Sequence, residues 1–305
     1  MIKKFTAVLQ EELAYLDTGG EDKETLVLIH GNMSSSMFFL RTIDKLKDRY
    51  RIIAPDLPGF GDSTYRKVYT SIKDYSDLLA RFFIKLGIKD YTVLGWSMGG
   101  GVVYELLLND LCKEDIKKAV ILAGVGLNGF RYKEFLSQLK NGMKFSVGPL
   151  GAEEFVMGFK QVNNIYKEFQ GEELREEIHL NAVKNSLKKY VYSGKDIDPE
   201  ELEINGREAE KQVNVKDVAK ALYDFDMMKT EAYKKFESKI LILHGTDDFV
   251  TSVKGAVEDY KLLATNAYIK LIEGGTHGLM ATNFEEYIAA LEDFLGGKYE
   301  SFNIK

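Results

Sequence analysis

Residues 90–106 read DYTVLGWSMGGGVVYEL, and this stretch decides the fold that we predict. Residues 91–94 are β-branched or apolar and predict a short strand, and the residues after Gly99 follow the pattern of an amphipathic helix. Gly95 and Gly99 enclose Ser97 in a turn too sharp for a Cβ on either side. This order of strand, turn and helix pushes the Ser97 hydroxyl out at the carboxyl end of the strand. We therefore predict that Ser97 is a nucleophile.

The composition of the chain limits its class and its partners. Of its 305 residues, 45% are hydrophobic, which suffices for one large α/β core or for a core with a smaller satellite domain. The formal net charge is −6, and the basic residues are scattered among acidic ones, so we expect no nucleic-acid partner. Cys112 is the only cysteine, which excludes a disulfide framework and a thiolate metal cluster.

The amino-terminal sequence predicts a cytoplasmic protein. The apolar run after Lys3 and Lys4 is interrupted at residues 10–12, before a signal-peptide core could form. The longest apolar stretch, residues 119–127, is far shorter than the roughly 20 residues of a membrane-crossing helix. We expect no membrane span.

Strand and helix patterns alternate along most of the chain. Strands separated by helix-length patterns predict parallel pairing with right-handed crossovers, so the fold class is α/β with a mostly parallel central sheet flanked by helices. Ser71, Asp74 and Gly87 predict the capping box and the end of one of these helices. The predicted strands cover residues 5–9, 13–16, 25–30, 51–54, 91–94, 119–123, 240–243 and 268–272. The other predicted helices cover residues 36–46, 253–263 and 284–294.

The alternation fails between residues 127 and 236, where the pattern is helical and indicates no buried strand. We therefore predict an α/β core made of residues 1–126 and 237–305, with residues 127–236 as an inserted helical cap. An insertion at this point would lie over the carboxyl ends of the parallel strands, where ligands bind in such sheets.

A serine nucleophile needs a histidine base, and the base needs an acid that holds it in one tautomer. The chain has four histidines. One precedes a turn, one lies within a predicted strand and one belongs to the charged insertion. His277 remains, in a glycine-rich loop after a strand. Asp247 and Asp248 both follow another strand and compete for the role of the acid.

Five motifs in this order resemble the α/β-hydrolase family over nearly the full chain. The resemblance implies a catalytic triad of Ser97, Asp248 and His277, because the family's G-x-x-D spacing favours Asp248 over Asp247. It implies a serine carboxylic-ester hydrolase that needs no metal and no organic cofactor. The motifs are His30-Gly31-Asn32, the loop of residues 56–63 with the pattern D-x-x-G-x-G-x-S, Gly95-Trp96-Ser97-Met98-Gly99, Gly245-Thr246-Asp247-Asp248 and Gly275-Thr276-His277.

An ester hydrolase of this kind stabilises the oxyanion of its reaction with preorganised backbone amides. The amide of Met98 at the start of a helix is one expected donor, and the amide of Asn32 is the other. Methionines beside the predicted catalytic loops favour an adaptable apolar pocket for the acyl group. The candidate residues of this substrate pocket are His30, Met33, Trp96 and Met280.

Within this family, two segments resemble a narrower group, the bacillus-type intracellular polyhydroxybutyrate depolymerases. The segments are HGNM, residues 30–33, and GWSMGGG, residues 95–101. This likeness implies short-chain or hydroxyalkanoate esters as substrates, either a small molecule or a polyester strand. Many relatives have proline where Met33 and Thr251 stand. We expect these two departures to alter loop shape and not chemistry.

Other functions on the same fold remain open. Within enzymes they are a C–C bond hydrolase, a cofactor-free haloperoxidase or perhydrolase, and an acyltransferase. A ligand receptor that keeps the pocket without turnover is a different class, which the presence of a complete serine, acid and histidine set disfavours.

Overall fold

The computed structural model describes residues 2–131, 172–263 and 266–302, and eight strands in this part of the chain form one sheet. The strands are β1 (Lys4–Val8), β2 (Glu11–Asp17), β3 (Thr25–Ile29), β4 (Arg51–Pro55), β5 (Tyr91–Trp96), β6 (Ile116–Leu122), β7 (Lys239–Gly245) and β8 (Ala267–Ile272). Their order in the sheet is β1-β2-β4-β3-β5-β6-β7-β8. The hairpin of β1 and β2 and the pairing of β2 with β4 are antiparallel, and all other neighbours are parallel. The predicted α/β class with a mostly parallel sheet is confirmed.

Helices follow most of the parallel strands. They are α1 (Leu40–Leu46), α2 (Ile72–Leu86), α3 (Met98–Leu106), α4 (Glu172–Ser186), α5 (Pro199–Glu210), α6 (Val215–Asp224), α7 (Val253–Leu262), α8 (Leu279–Thr282) and α9 (Phe284–Leu295). The predicted capping box at the start of α2 is confirmed, since the side chains of Ser71 and Asp74 each accept a hydrogen bond from the other residue's amide. Gly87 ends α2 with a φ of 66°. None of the described helices is both long and apolar enough to cross a bilayer.

Several element boundaries differ from the prediction. Strand β5 continues through Gly95 and Trp96, because these residues still pair with β6. Strand β6 begins at Ile116, earlier than predicted. Its first residues include the polar Lys118 and still pair with β5. The helix predicted from residue 36 opens as a 3₁₀ turn, Ser36–Phe39, and becomes α1 only at Leu40.

The sheet separates two apolar clusters. Val27 and Ile29 of β3 point into one cluster, and Leu26 and Leu28 point into the other, as the two-residue period of a strand requires. Helices α2, α3 and α7 contribute to the first cluster and α1, α8 and α9 to the second. The parallel strands are therefore buried on both faces, which is typical of a sheet covered by helices on either side.

The segment between β6 and β7 is helical in its described part. Residues 172–236 contain α4, α5 and α6 and no strand. Residues 132–171, the rest of the predicted insertion, lie outside the described residues.

Asp259 of α7 is a buried carboxylate beneath the loop that follows β6. Its Oδ2 accepts hydrogen bonds from the Leu127 amide at 3.0 Å and the Tyr104 hydroxyl at 3.3 Å. Gly126 packs against the same oxygen, because a Cβ there would lie 2.7 Å from it. Burial raises the pKa of Asp259 to about 7, although both hydrogen bonds act in the opposite direction.

We expect Asp259 to make stability depend on pH. The folded protein holds the Asp259 proton up to about pH 7, whereas the carboxyl group of an unfolded chain releases its proton near 3.8. The stabilisation is therefore present at acid pH and is lost as pH rises through this window. Relative to Asp259→Asn, the wild type should lose roughly 2–3 kcal/mol of unfolding free energy between about pH 5 and 8.

Urea unfolding of both proteins at several pH values measures this difference. Asp22→Asn is the control, because Asp22 is exposed and its loss should leave the pH dependence of the wild type unchanged. Parallel pH profiles for the wild type and Asp259→Asn would contradict the prediction.

Candidate active site

Ser97 lies in the turn between β5 and α3 with a backbone conformation that side chains rarely adopt, at a φ of 56° and a ψ of −120°. Such a conformation costs about 1–3 kcal/mol and persists only where neighbouring groups hold it. Here the Ser97 amide donates to the Leu122 carbonyl at 3.1 Å, and the Ser97 carbonyl accepts from Gly100 at 3.0 Å and Val125 at 2.9 Å. Main-chain hydrogen bonds on both sides therefore fix the turn.

The predicted need for glycine around Ser97 is confirmed. A Cβ on Gly95 would lie 2.1 Å from the Gly99 carbonyl oxygen, and a Cβ on Gly99 would lie 2.3 Å from the carbonyl oxygen of Ile29 in β3. A Cβ on Gly31 would lie 2.8 Å from the Ser97 Cβ. The loop after β3 is thus packed directly against the serine, with Asn32 as its next residue.

Asp248 and His277 meet in the loops after β7 and β8. The Asp248 Oδ2 lies 2.9 Å from the His277 Nδ1, and the Asp248 Oδ1 accepts from the amides of Val250 at 2.8 Å and Thr251 at 2.9 Å. Burial acts to raise the pKa of Asp248, but His277 and the hydrogen bonds together hold it below its ordinary value. Because an ionised carboxylate only accepts, His277 Nδ1–H is the donor, and the Nε2 of the neutral ring is unprotonated.

Asp247, the competing aspartate, has different surroundings. Its side chain is exposed, and its Oδ1 lies 3.4 Å from the Thr246 hydroxyl. Its main chain donates to the Gly275 carbonyl at 2.8 Å and accepts from the Ser193 hydroxyl at 3.0 Å. Of the two aspartates, it is Asp248 whose carboxylate is bonded to His277.

Trp96 supports the loop that carries His277. Its Nε1 donates to the His277 carbonyl at 2.8 Å, and the centroid of its ring lies 5.4 Å from that of the His277 ring and 5.5 Å from that of the Phe38 ring. Trp96 and Met280 are only 2% and 3% exposed, so both side chains pack within the protein, whereas Met33 is half-buried.

His30 was expected in the substrate pocket, and the structure places it elsewhere. It is fully buried, its Nδ1–H donates to the Gly31 carbonyl at 2.8 Å, and its Nε2 accepts from the Leu57 amide at 2.9 Å. Burial lowers the pKa of His30 to about 4, so the ring is neutral. A histidine with both ring nitrogens bonded to main chain fixes the loops after β3 and β4 and does not line a pocket.

The role of Thr251 is missing from the sequence interpretation, which expected this position to change loop shape alone. Its hydroxyl lies 2.8 Å from the Asp248 Oδ2, 3.3 Å from the His277 Nδ1 and 3.0 Å from the Ala123 carbonyl. His244 donates from Nε2 to the Thr251 carbonyl at 3.2 Å and lies 3.4 Å from the Asp248 Oδ2. Asp248 thus has a threonine and a second histidine as neighbours.

The two expected oxyanion donors are the next residue after Ser97 and the next residue after Gly31, which packs against Ser97. Met98 is the first residue of α3, where an amide has no acceptor within the helix. Asn32 follows Gly31, and its side-chain oxygen accepts a hydrogen bond from Gln212 at 2.8 Å. Gln212 comes from the segment between β6 and β7 and was not predicted as a site residue.

Three carboxylates near this region, those of Asp56, Asp62 and Glu208, are close enough together to hold a cation. The Lys3 ammonium group lies among them, at 2.7, 2.7 and 3.2 Å. Lys211 adds bonds to Asp62 at 2.8 Å and Glu208 at 2.6 Å. Burial acts to lower the pKa of Lys3, but Asp56 and Asp62 raise it above the ordinary value. The ammonium groups of Lys3 and Lys211 therefore already neutralise charge in this cluster of carboxylates.

Known proteins resemble this chain in sequence or in structure. The chain is 38% identical over 90 residues to the "Dihydrolipoyllysine-residue acetyltransferase component of acetoin cleaving system" of Cupriavidus necator, which is 30% of this chain and 24% of that relative's length. It is 24% identical over 262 residues to the Mycoplasma pneumoniae protein "Putative esterase/lipase 2", covering 84% of this chain and 82% of that protein. It is similar in structure to a bromoperoxidase from Bacillus anthracis, with a TM-score of 0.73, 24% identity, and coverage of 97% of this chain and 100% of that one.

The family model described as "alpha/beta hydrolase fold" matches residues 24–284, a range that runs from β3 to the start of α9. The match contains the Ser97 turn, the Asp248 loop and the His277 loop in one continuous region. The chain belongs to the α/β-hydrolase family.

Proposed function

We propose that this protein is a serine hydrolase of carboxylic esters, with Ser97 as nucleophile, His277 as general base and Asp248 as the acid that orients the base. The observation that carries the proposal is the 2.9 Å hydrogen bond between His277 and the buried, ionised Asp248. It fixes the tautomer in which the His277 Nε2 can accept a proton.

In the first half of the proposed reaction, His277 takes the proton of the Ser97 hydroxyl while the serine oxygen attacks the ester carbonyl. The amides of Asn32 and Met98 stabilise the oxyanion that forms. His277 then gives its proton to the departing alcohol, and the acyl group remains on Ser97.

In the second half, water replaces the alcohol. His277 accepts a proton from the water, which attacks the acyl carbonyl, and the same two amides stabilise the second oxyanion. Return of the proton to Ser97 releases the carboxylic acid and restores the enzyme. The ionised Asp248 stabilises the imidazolium in both halves.

We also propose that residues 127–236 act as a cap over the site. In support, a Cβ on Gly278, beside His277, would lie 2.7 Å from the ring of Tyr192, and the Ser193 hydroxyl donates to the Asp247 carbonyl at 3.0 Å. Lys195 donates to the Gly274 carbonyl, and Gln212 bonds to Asn32. All of these partners belong to loops at the carboxyl ends of β3, β7 and β8.

The substrate that we propose is a short-chain or hydroxyalkanoate ester, with a polyhydroxybutyrate strand as the more specific candidate. The relative from Mycoplasma pneumoniae carries the name of an esterase or lipase, which supports ester chemistry. The half-buried Met33 beside Asn32 offers adaptable apolar surface to an acyl chain.

Substitutions in the triad test the roles of its members. With p-nitrophenyl butyrate, Ser97→Ala and His277→Ala should lower kcat by about 10⁶, and Asp248→Asn by about 10⁴ because the amide favours the wrong histidine tautomer. A fluorophosphonate probe should label the wild type and not Ser97→Ala. A wild type that binds esters without turnover or labelling would indicate a receptor and end the proposal.

Asp247→Asn is the matched control for the acid. Its carboxylate is exposed, so kcat should stay within about threefold of the wild type. Loss of activity in Asp247→Asn with activity kept in Asp248→Asn would reverse the assignment of the acid.

The choice between small esters and polymer needs its own measurement. If the polymer is a substrate, amorphous polyhydroxybutyrate granules incubated with the protein should release soluble 3-hydroxybutyrate or its oligomers, and Ser97→Ala should release none. Release can be quantified by chromatography, with hydroxybutyrate trimers as the soluble comparison. Turnover of p-nitrophenyl butyrate with intact granules and intact trimers would remove the polymer and leave the short-chain esterase.

A further inference from the structure

Gln212 joins the segment between β6 and β7 to the loop after β3. Its Oε1 accepts from the Met33 amide at 3.0 Å, and its Nε2 donates to the Asn32 Oδ1 at 2.8 Å. The Nε2 also lies 3.1 Å from the Asn214 Oδ1. The side-chain amide of Gln212 thus forms hydrogen bonds with two successive residues of the loop, the main chain of Met33 and the side chain of Asn32.

The loop that Gln212 binds has an unusual backbone conformation. Met33 has a φ of 53°, in the left-handed region that side chains other than glycine rarely adopt. The hydrogen bond from its amide to Gln212 offsets that strain. On the other side of Asn32, Gly31 packs against Ser97, where a Cβ would lie 2.8 Å from the Ser97 Cβ. Asn32 is therefore held between the serine and Gln212.

Gln212 is itself held by the core. The next residue, Val213, donates from its amide to the Gly59 carbonyl at 3.0 Å. The buried Asn214 donates from Nδ2 to the Pro58 carbonyl at 2.8 Å and to the Tyr75 hydroxyl at 3.1 Å. Because these donations fix the orientation of the Asn214 amide, its Oδ1 faces Gln212 as an acceptor. The Gln212 amide is thereby fixed in the orientation that serves Met33 and Asn32.

We propose that Gln212 is a positioning residue for the oxyanion site: it occupies the Met33 amide and holds the Asn32 amide toward the oxyanion. This inference rests on the proposed function, in which Asn32 and Met98 supply the two donors. It makes the oxyanion site dependent on the segment between β6 and β7, because one half of the site has its conformation set by a residue of that segment.

Gln212→Met tests the proposal, since methionine keeps the length of the side chain and can neither accept from Met33 nor donate to Asn32 in the same way. With p-nitrophenyl butyrate we expect kcat to fall by about 10- to 50-fold and KM to change by less than about threefold, because the lost interaction acts on the transition state. Inhibition by a trifluoromethyl ketone, whose adduct with serine carries an oxyanion, should weaken by a factor similar to that lost in kcat/KM.

Lys211→Met is the matched control. Lys211 precedes Gln212, and its ammonium group bonds the same segment to the core through Asp62 and pairs within the segment with Glu208. Its kcat should stay within about twofold of the wild type, and both variants should melt within a few degrees of each other. Equal loss of kcat in both variants would assign the effect to general attachment of the segment and overturn the proposal.

A double variant separates positioning from an independent role. Asn32→Ala removes the side-chain bond to Gln212 and keeps the backbone amide. If Gln212 acts through this loop, Asn32→Ala with Gln212→Met should lose no more kcat than Gln212→Met alone, and multiplied losses would overturn the inference. An active wild type with an unchanged Gln212→Met would overturn it without touching the proposed function. A wild type with neither turnover nor labelling would overturn both.

Discussion

The contact between the main chains of α3 and β3 at Gly99 is the constraint on which the rest of the site depends. With no room for a Cβ, the helix starts directly beside the strand, and the chain must turn within the single residue Ser97. The strained conformation of Ser97 is offset by hydrogen bonds to Leu122 and Val125 in and after β6. The sheet thus fixes Ser97 through hydrogen bonds of its backbone.

Two buried aspartates show how neighbouring groups decide the charge of a carboxyl group. Asp248 has two amides and a histidine as donors and a hydroxyl close by, which lower its pKa despite burial. Asp259 has an amide and a hydroxyl, and burial prevails, raising its pKa to about 7. The first remains an anion that can stabilise an imidazolium, whereas the second is a structural group that is protonated over part of the physiological range.

Local backbone rules explain which features could be predicted from the sequence. The glycines around Ser97 and the capping box of α2 follow from steric contacts and hydrogen bonds within a few residues. Both features can therefore be predicted from the local sequence. Gln212 lies 180 positions from Asn32, and no local pattern links them. The expectation for His30 was wrong because its partner, the Leu57 amide, comes from the following strand's loop. Side-chain contacts between distant loops set these roles, and composition does not reveal them.

The pairing of Met33 with Gln212 has a consequence for recombination among relatives. A proline at position 33 would offer no amide hydrogen and could not adopt a φ of 53°, so Gln212 would have nothing to accept there. A graft that joins this protein's segment between β6 and β7 to a loop with proline at that position would lack this hydrogen bond. Functional chimeras built from this protein should therefore inherit the loop after β3 and the inserted segment together.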